Sequence, residues 1–98
     1  MAFDIYIKKI SENIDVVSYS VNDFINNQEF TIEINKETGI VKYYLLGELV
    51  GEVSLIEDNK PLEDLKDIAR TTSNKVSLFA FMCFKDKKYP DEVRKASY

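Results

Sequence analysis

The 98-residue chain is 45% hydrophobic, 31% charged and 12% aromatic, the proportions of one globular domain covering residues 1–98. Its 17 acidic and 13 basic residues leave a net charge of −4, which disfavours a dedicated nucleic-acid binder, and a body this small spends its interior on a core, with little left to enclose a large cofactor. With no histidine there is no Ser-His-Asp triad and no Cys-His pair, and the single Cys83 excludes an internal disulfide and any multi-cysteine metal centre, so neither a metal nor a cofactor is expected.

Met1-Ala2-Phe3-Asp4 lacks the basic and apolar regions of a signal peptide, and no apolar run approaches the ~20 residues of a membrane span. The expectation is a cytoplasmic protein with no membrane partner. Phe3, Ile5 and Ile7 alternate with Asp4, Tyr6 and Lys8, the period of a half-buried strand. Ile14 to Val21, rich in β-branched residues and carrying Tyr19, is a second strand returning through a turn near Ser11-Glu12-Asn13. Asn22 to Asn27 is read as a short turn through Asp23-Phe24-Ile25 capped by Asn22.

Glu29 to Ile56 carries the clearest pattern. Phe30, Ile32 and Ile34 face one way, a loop from Lys36 to Gly39 follows with Gly39 free to take positive φ, and Ile40 to Leu46 returns. That loop length sets Ile34 against Val41, Ile32 against Tyr43 and Phe30 against Leu45, and places Glu33 opposite Lys42 on the other face as a cross-strand ion pair. A second turn at Leu46-Gly47-Glu48 puts Leu49, Gly51, Val53 and Leu55 on the apolar face, with Glu52 beside Lys42 and Gly51 beside Tyr43. The outer face then presents Glu33, Lys42, Tyr44, Glu52 and Ser54.

Pro61 opens a helix of roughly three turns, with Glu63 and Asp64 complementing its dipole and Leu62, Leu65, Ile68 and Ala69 as its buried stripe; Thr71-Thr72-Ser73-Asn74 ends it. The apolar run Val76 to Phe84 is read as a central strand covered on both faces. After a turn at Lys85–Lys88, Pro90 opens a short last helix in which Asp91 and Lys95 are spaced to pair. The expected fold is α+β, a mostly antiparallel sheet of about six strands with one three-turn helix and a short C-terminal helix.

The net charge conceals a division: residues 1–67 carry −8 and residues 68–98 carry +4. One consequence is that the acidic part steers a basic partner onto itself. The other is that Lys85, Lys87, Lys88, Arg94 and Lys95 contact phosphate, which makes a small nucleic-acid-binding module the alternative function. Phe79-Ala80-Phe81-Met82-Cys83-Phe84 resembles the aromatic half of the RNA-recognition-motif signature, but Ser77-Leu78 stand where that family has a basic residue and glycine. Catalysis is not expected: Glu33 and Glu52 flank Lys42 on a flat face, Cys83 lies in an apolar run, and all three glycines serve hairpins.

Recognition of another protein is the function that remains. Tyrosine offers rigid contact area and carboxylates steer a cationic partner, so Tyr6, Tyr19 and Tyr44 are considered together with the acids, and the partner-binding set is Glu33, Tyr44, Glu48, Glu52, Glu57 and Asp58. In general character the chain resembles the immunity proteins of bacterial toxin systems, in particular those of contact-dependent growth inhibition. The resemblance is carried by the opening Phe3-Asp4-Ile5-Tyr6-Ile7-Lys8-Lys9, the acidic hairpins Glu29 to Glu57 and the short closing helix, without a diagnostic motif. It implies an inhibitor that binds a cognate toxin domain, commonly a nuclease with a basic cleft. Whether such a protein is a monomer or a homodimer is left open by the sequence.

Overall fold

A computed structural model describes residues 2–56 and 67–97. Seven elements follow in order: β1 (Phe3–Glu12), β2 (Val16–Asp23), β3 (Gln28–Asn35), β4 (Ile40–Leu45), β5 (Glu48–Ser54), α1 (Arg70–Asp86) and β6 (Glu92–Ser97). The six strands form one antiparallel sheet in the order β5-β4-β3-β2-β1-β6. This is an α+β fold with one helix among the described residues.

Alternation drives the sheet. Ile5 and Ile7 of β1, Val17, Tyr19 and Val21 of β2, Phe30, Ile32 and Ile34 of β3, and Val41 and Tyr43 of β4 are all buried on one face, against α1. The pairing of Ile34 with Val41, Ile32 with Tyr43 and Glu33 with Lys42 follows the hydrophobic pattern as expected; the anticipated Phe30–Leu45 pair falls beyond the last ladder position, Thr31 opposite Tyr44.

Three of the turns share one device, a side-chain oxygen that accepts backbone N–H groups two and three residues on. Asn13 Oδ1 accepts from Asp15 and Val16 at 2.9 and 2.8 Å, Asn35 Oδ1 from Glu37 and Thr38 at 3.0 and 2.9 Å, and Asp23 Oδ1 from Ile25 and Asn26 at 3.1 Å each. The cap of the β2–β3 turn is therefore Asp23 and not Asn22. The β4–β5 connection is the two-residue pair Leu46-Gly47, both with positive φ (52° and 81°), the geometry that matches strand twist in tight hairpins. A bulge then shifts the register, so that Leu45 faces Glu48, Tyr44 faces Leu49 and Tyr43 faces Gly51.

Three expectations for the C-terminal third are overturned. Val76–Phe84 is not a strand but the body of α1, with Val76, Phe79, Ala80 and Cys83 buried at helical spacing and Leu78 and Met82 exposed. A continuous apolar run carries both periods at once, so only the sheet it must cover selects between them. Thr71-Thr72-Ser73-Asn74 does not end a helix but lies in the first turns of α1, where Thr72 donates to the Asp23 carboxylate and Ser73 Oγ donates to the Arg70 carbonyl at 3.0 Å. Most of the helix expected from Pro61 falls outside the described residues; its described end, Asp67 to Ala69, is a turn leading into α1.

The short C-terminal helix is likewise replaced, by strand β6, which pairs with the free side of β1. Asp91 does not pair with Lys95 within one helix; it reaches Lys9 of β1 at 3.4 Å. Pro90 suits either element, because its missing N–H precedes the ladder. Among the described residues no helix is long and apolar enough to cross a membrane.

Candidate partner-binding surface

α1 covers one face of the sheet, and the opposite face carries the candidate residues. Register aligns Glu33 of β3, Lys42 of β4 and Glu52 of β5 in one row across three strands, as the sequence predicted. The expected Glu33–Lys42 ion pair does not close: no N–O approach within 4.0 Å joins Lys42 to either carboxylate, whereas such contacts do join Lys9 to Glu12, Lys36 to Glu12 and Arg94 to Asp4. The three side chains, with Asn35, Thr38 and Ile40, line a depression of about 270 Å³ beside the β3–β4 turn.

Tyr44 stands on the same outer face, half-buried between Thr31 and Leu49. Glu48 does not join this row, because it opposes Leu45 on the pleat that faces the helix side, exposed at the exit of the β4–β5 turn. Glu57 and Asp58 lie outside the described residues.

The bulge adds residues that the sequence reading placed elsewhere. Leu49, assigned to the apolar face from strict alternation, is turned outward beside Tyr44 and is 51% exposed, and Leu46 at the turn tip is 95% exposed. Apolar side chains next to carboxylates are what an interface core needs. The available signal was Leu46-Gly47 itself, a two-residue turn with glycine at its second position: it sets Leu49 opposite Tyr44, and the bulge then returns Gly51 and Val53 to the apolar face.

The remaining tyrosine candidates are already engaged. Tyr19 is not an exposed contact residue: it shares the pleat of Val17 and Val21, is fully buried, donates to the Pro90 carbonyl at 2.8 Å and meets the Phe79 ring edge-on at 5.1 Å. Tyr6 lies on the outer face and donates to Glu92. Beside it Arg94 makes a bidentate contact with Asp4, Nε and Nη2 at 3.1 and 2.8 Å, and lies 5.6 Å from the Phe24 ring. The β1–β6 side of the outer face is thus closed by its own charge pairs, and the β3–β5 side presents charge outward.

Of the basic residues of the last third, Lys88 and Lys95 line one groove together with Asp86, while three others are engaged elsewhere. Lys75 lies over the Phe3 ring at 4.6 Å, Lys87 over the Phe84 ring at 4.1 Å, and Arg94 is held by Asp4. Phe79, Phe81 and Phe84 are on a helix, so the likeness to an RNA-stacking strand does not extend to the fold. Cys83 is buried, and burial pushes its thiol up to about 11, leaving it protonated near neutral pH. No cluster of metal-ligating residues occurs among the described residues.

Comparison with known proteins finds no matching family, no matching curated protein and no matching solved structure.

Proposed function

We propose that this chain is a small inhibitor of immunity-protein type, which binds a basic surface of a cognate toxin domain, of nuclease class, with the outer face of β3, β4 and β5. The observation that carries the reading is the row of Glu33, Lys42 and Glu52, in which neither carboxylate is neutralised by a contact with the lysine between them. Two carboxylates fixed on a rigid sheet occupy the positions that phosphates take in a basic cleft, and they accelerate encounter with a cationic partner in a salt-sensitive way. Tyr44, Leu49 and Leu46 supply the apolar contact that carboxylates lack.

The test is titration of the purified chain against the toxin domain encoded beside its gene. Wild type should bind and neutralise it, and the Glu33→Lys/Glu52→Lys double variant should lose at least about 100-fold in affinity, mostly in association rate. Full neutralisation by the double variant would remove this face from the interface, and absence of binding by wild type would remove the function. Among the described residues the last third brings Lys88 and Lys95 to one groove, beside the carboxylate Asp86, which gives the nucleic-acid alternative no comparable support.

A further inference from the structure

Among the described residues β6 ends the sheet, with β1 on one side and no strand on the other. The Lys9 N–H donates to the Asp91 carbonyl at 2.7 Å; because an antiparallel ladder alternates, Asp91, Val93 and Lys95 turn their backbone groups toward β1, while Glu92, Arg94 and Ala96 turn theirs toward the edge. Such an edge is a template for a further strand.

A second copy related by a two-fold axis through the sheet has few ways to use it. Outward-turned residues must bond outward-turned residues and each face must continue its own face, so the axis passes through a single residue of β6. Centring on Glu92, Arg94 or Lys95 sets that charged residue against itself, and like charges directly opposite destabilise a ladder. Centring on Ala96 or Ser97 overlaps only the end of the strand. Centring on Val93 sets Val93 against Val93, Glu92 against Arg94 and Asp91 against Lys95, each charged pair occurring twice. On the helix side Val93 also borders an apolar groove of about 640 Å³ with Phe79, Met82 and Cys83, and Met82 is 45% exposed there.

We propose that the chain forms a two-fold homodimer in which β6 pairs antiparallel with β6 of a second copy, centred on Val93, joining two sheets into one. Arg94 keeps Asp4 and Glu92 keeps Tyr6 in this arrangement, and the contacts across the axis add to them. The outer face of β3–β5 lies at the far edge of each sheet, so dimerisation and partner capture are separable.

Sedimentation across the micromolar range tests this with two variants, Asp91→Lys and Lys95→Glu, at positions away from the Asp4–Arg94 contact, each checked for wild-type circular dichroism. Wild type should sediment as a dimer. Each variant alone should dimerise at least about tenfold more weakly, and an equimolar mixture should restore a one-to-one heterodimer, since the reversed charges complement each other across the axis. A wild type that stays monomeric throughout overturns the proposal. A dimer that neither charge reversal weakens, or variants whose mixture fails to reassociate, overturns the Val93-centred register; neither outcome touches the toxin-binding face.

Discussion

The Tyr43 hydroxyl on the inner face of β4 lies 2.6 Å from the Ser77 hydroxyl of α1 and donates to the Ser73 carbonyl at 3.2 Å. Sheet and helix are thereby pinned by a polar contact beside the apolar packing of the core. Tyr43→Phe leaves the Ser77 hydroxyl buried without this partner and should cost about 1–2 kcal/mol in urea denaturation, and adding Ser77→Ala should cost less than the two single effects summed. Burial raises the Tyr43 and Tyr19 hydroxyls well above their ordinary value. Their contribution to stability is complete below the unfolded tyrosine pKa of about 10 and is lost as pH rises above it, so stability should fall in alkali, less steeply in Tyr43→Phe.

Asp23 ties the β2–β3 turn to the start of α1. Burial works to raise its carboxyl, but hydrogen bonds from Thr72, from the Asn26 side chain at 2.7 Å and from the Asn26 and Ile25 backbone outweigh it and hold the group below the ordinary carboxylate range. A depressed acid stabilises above its unfolded pKa and stops doing so as pH falls through the folded one. Asp23→Asn should lose about 1–3 kcal/mol at neutral pH and show a shallower decline of melting temperature in acid.

Gly39 and Gly47 both have positive φ, yet they should respond differently to alanine. A Cβ at Gly39 would meet Phe84 Cζ at 3.0 Å and Ile56 Cγ1 at 3.2 Å, whereas one at Gly47 meets nothing within 4 Å. Gly47→Ala should cost only the left-handed backbone penalty of about 1–2 kcal/mol, and Gly39→Ala should exceed it because the Phe84 ring and the Ile56 side chain must also give way. Chemical denaturation of the two variants side by side decides this.

Leu46 and Leu49 are exposed and contribute little to folding. The Leu46→Ser/Leu49→Ser variant should keep its unfolding free energy in urea to within about 0.5 kcal/mol of wild type. Its affinity for the partner proposed above should nonetheless fall, and unchanged affinity would confine the proposed interface to the Glu33–Glu52 row.

The buried Cys83 thiol should react with an aromatic disulfide reagent only when the protein unfolds. The reaction rate, followed against urea concentration, should track the unfolding transition.

Much of the β-rich part was legible because the centres of β2, β3 and β4 alternate, at Val17–Val21, Phe30–Ile34 and Val41–Tyr43, and because Glu33 and Lys42 agree with the hydrophobic register. The placement of Glu33 and Tyr44 on one outer face follows from that register alone; Glu52 joins them because the two-residue turn and the bulge together give the same register at Lys42 as the expected three-residue loop. Leu49 and Glu48 were misplaced because a bulge breaks the parity that strand reading assumes. Tyr19 was misjudged as a surface group because a phenol suits either setting, and only the Pro90 carbonyl and the Phe79 ring beside it decide for burial.

What the amino-acid order determined by itself is local: the period-two strands, the turns near Asn13 and after Asn35, and the left-handed Gly39. Tertiary structure decided the rest of the chain. Val76–Phe84 has no period of its own to separate strand from helix, and the apolar face formed by Ile7, Tyr19, Ile32 and Tyr43 selects the helix because one helix covers it. Glu92–Ser97 is too short and too polar to choose, and it becomes a strand because β1 has an unpaired edge and Asp4 offers Arg94 a carboxylate at that register.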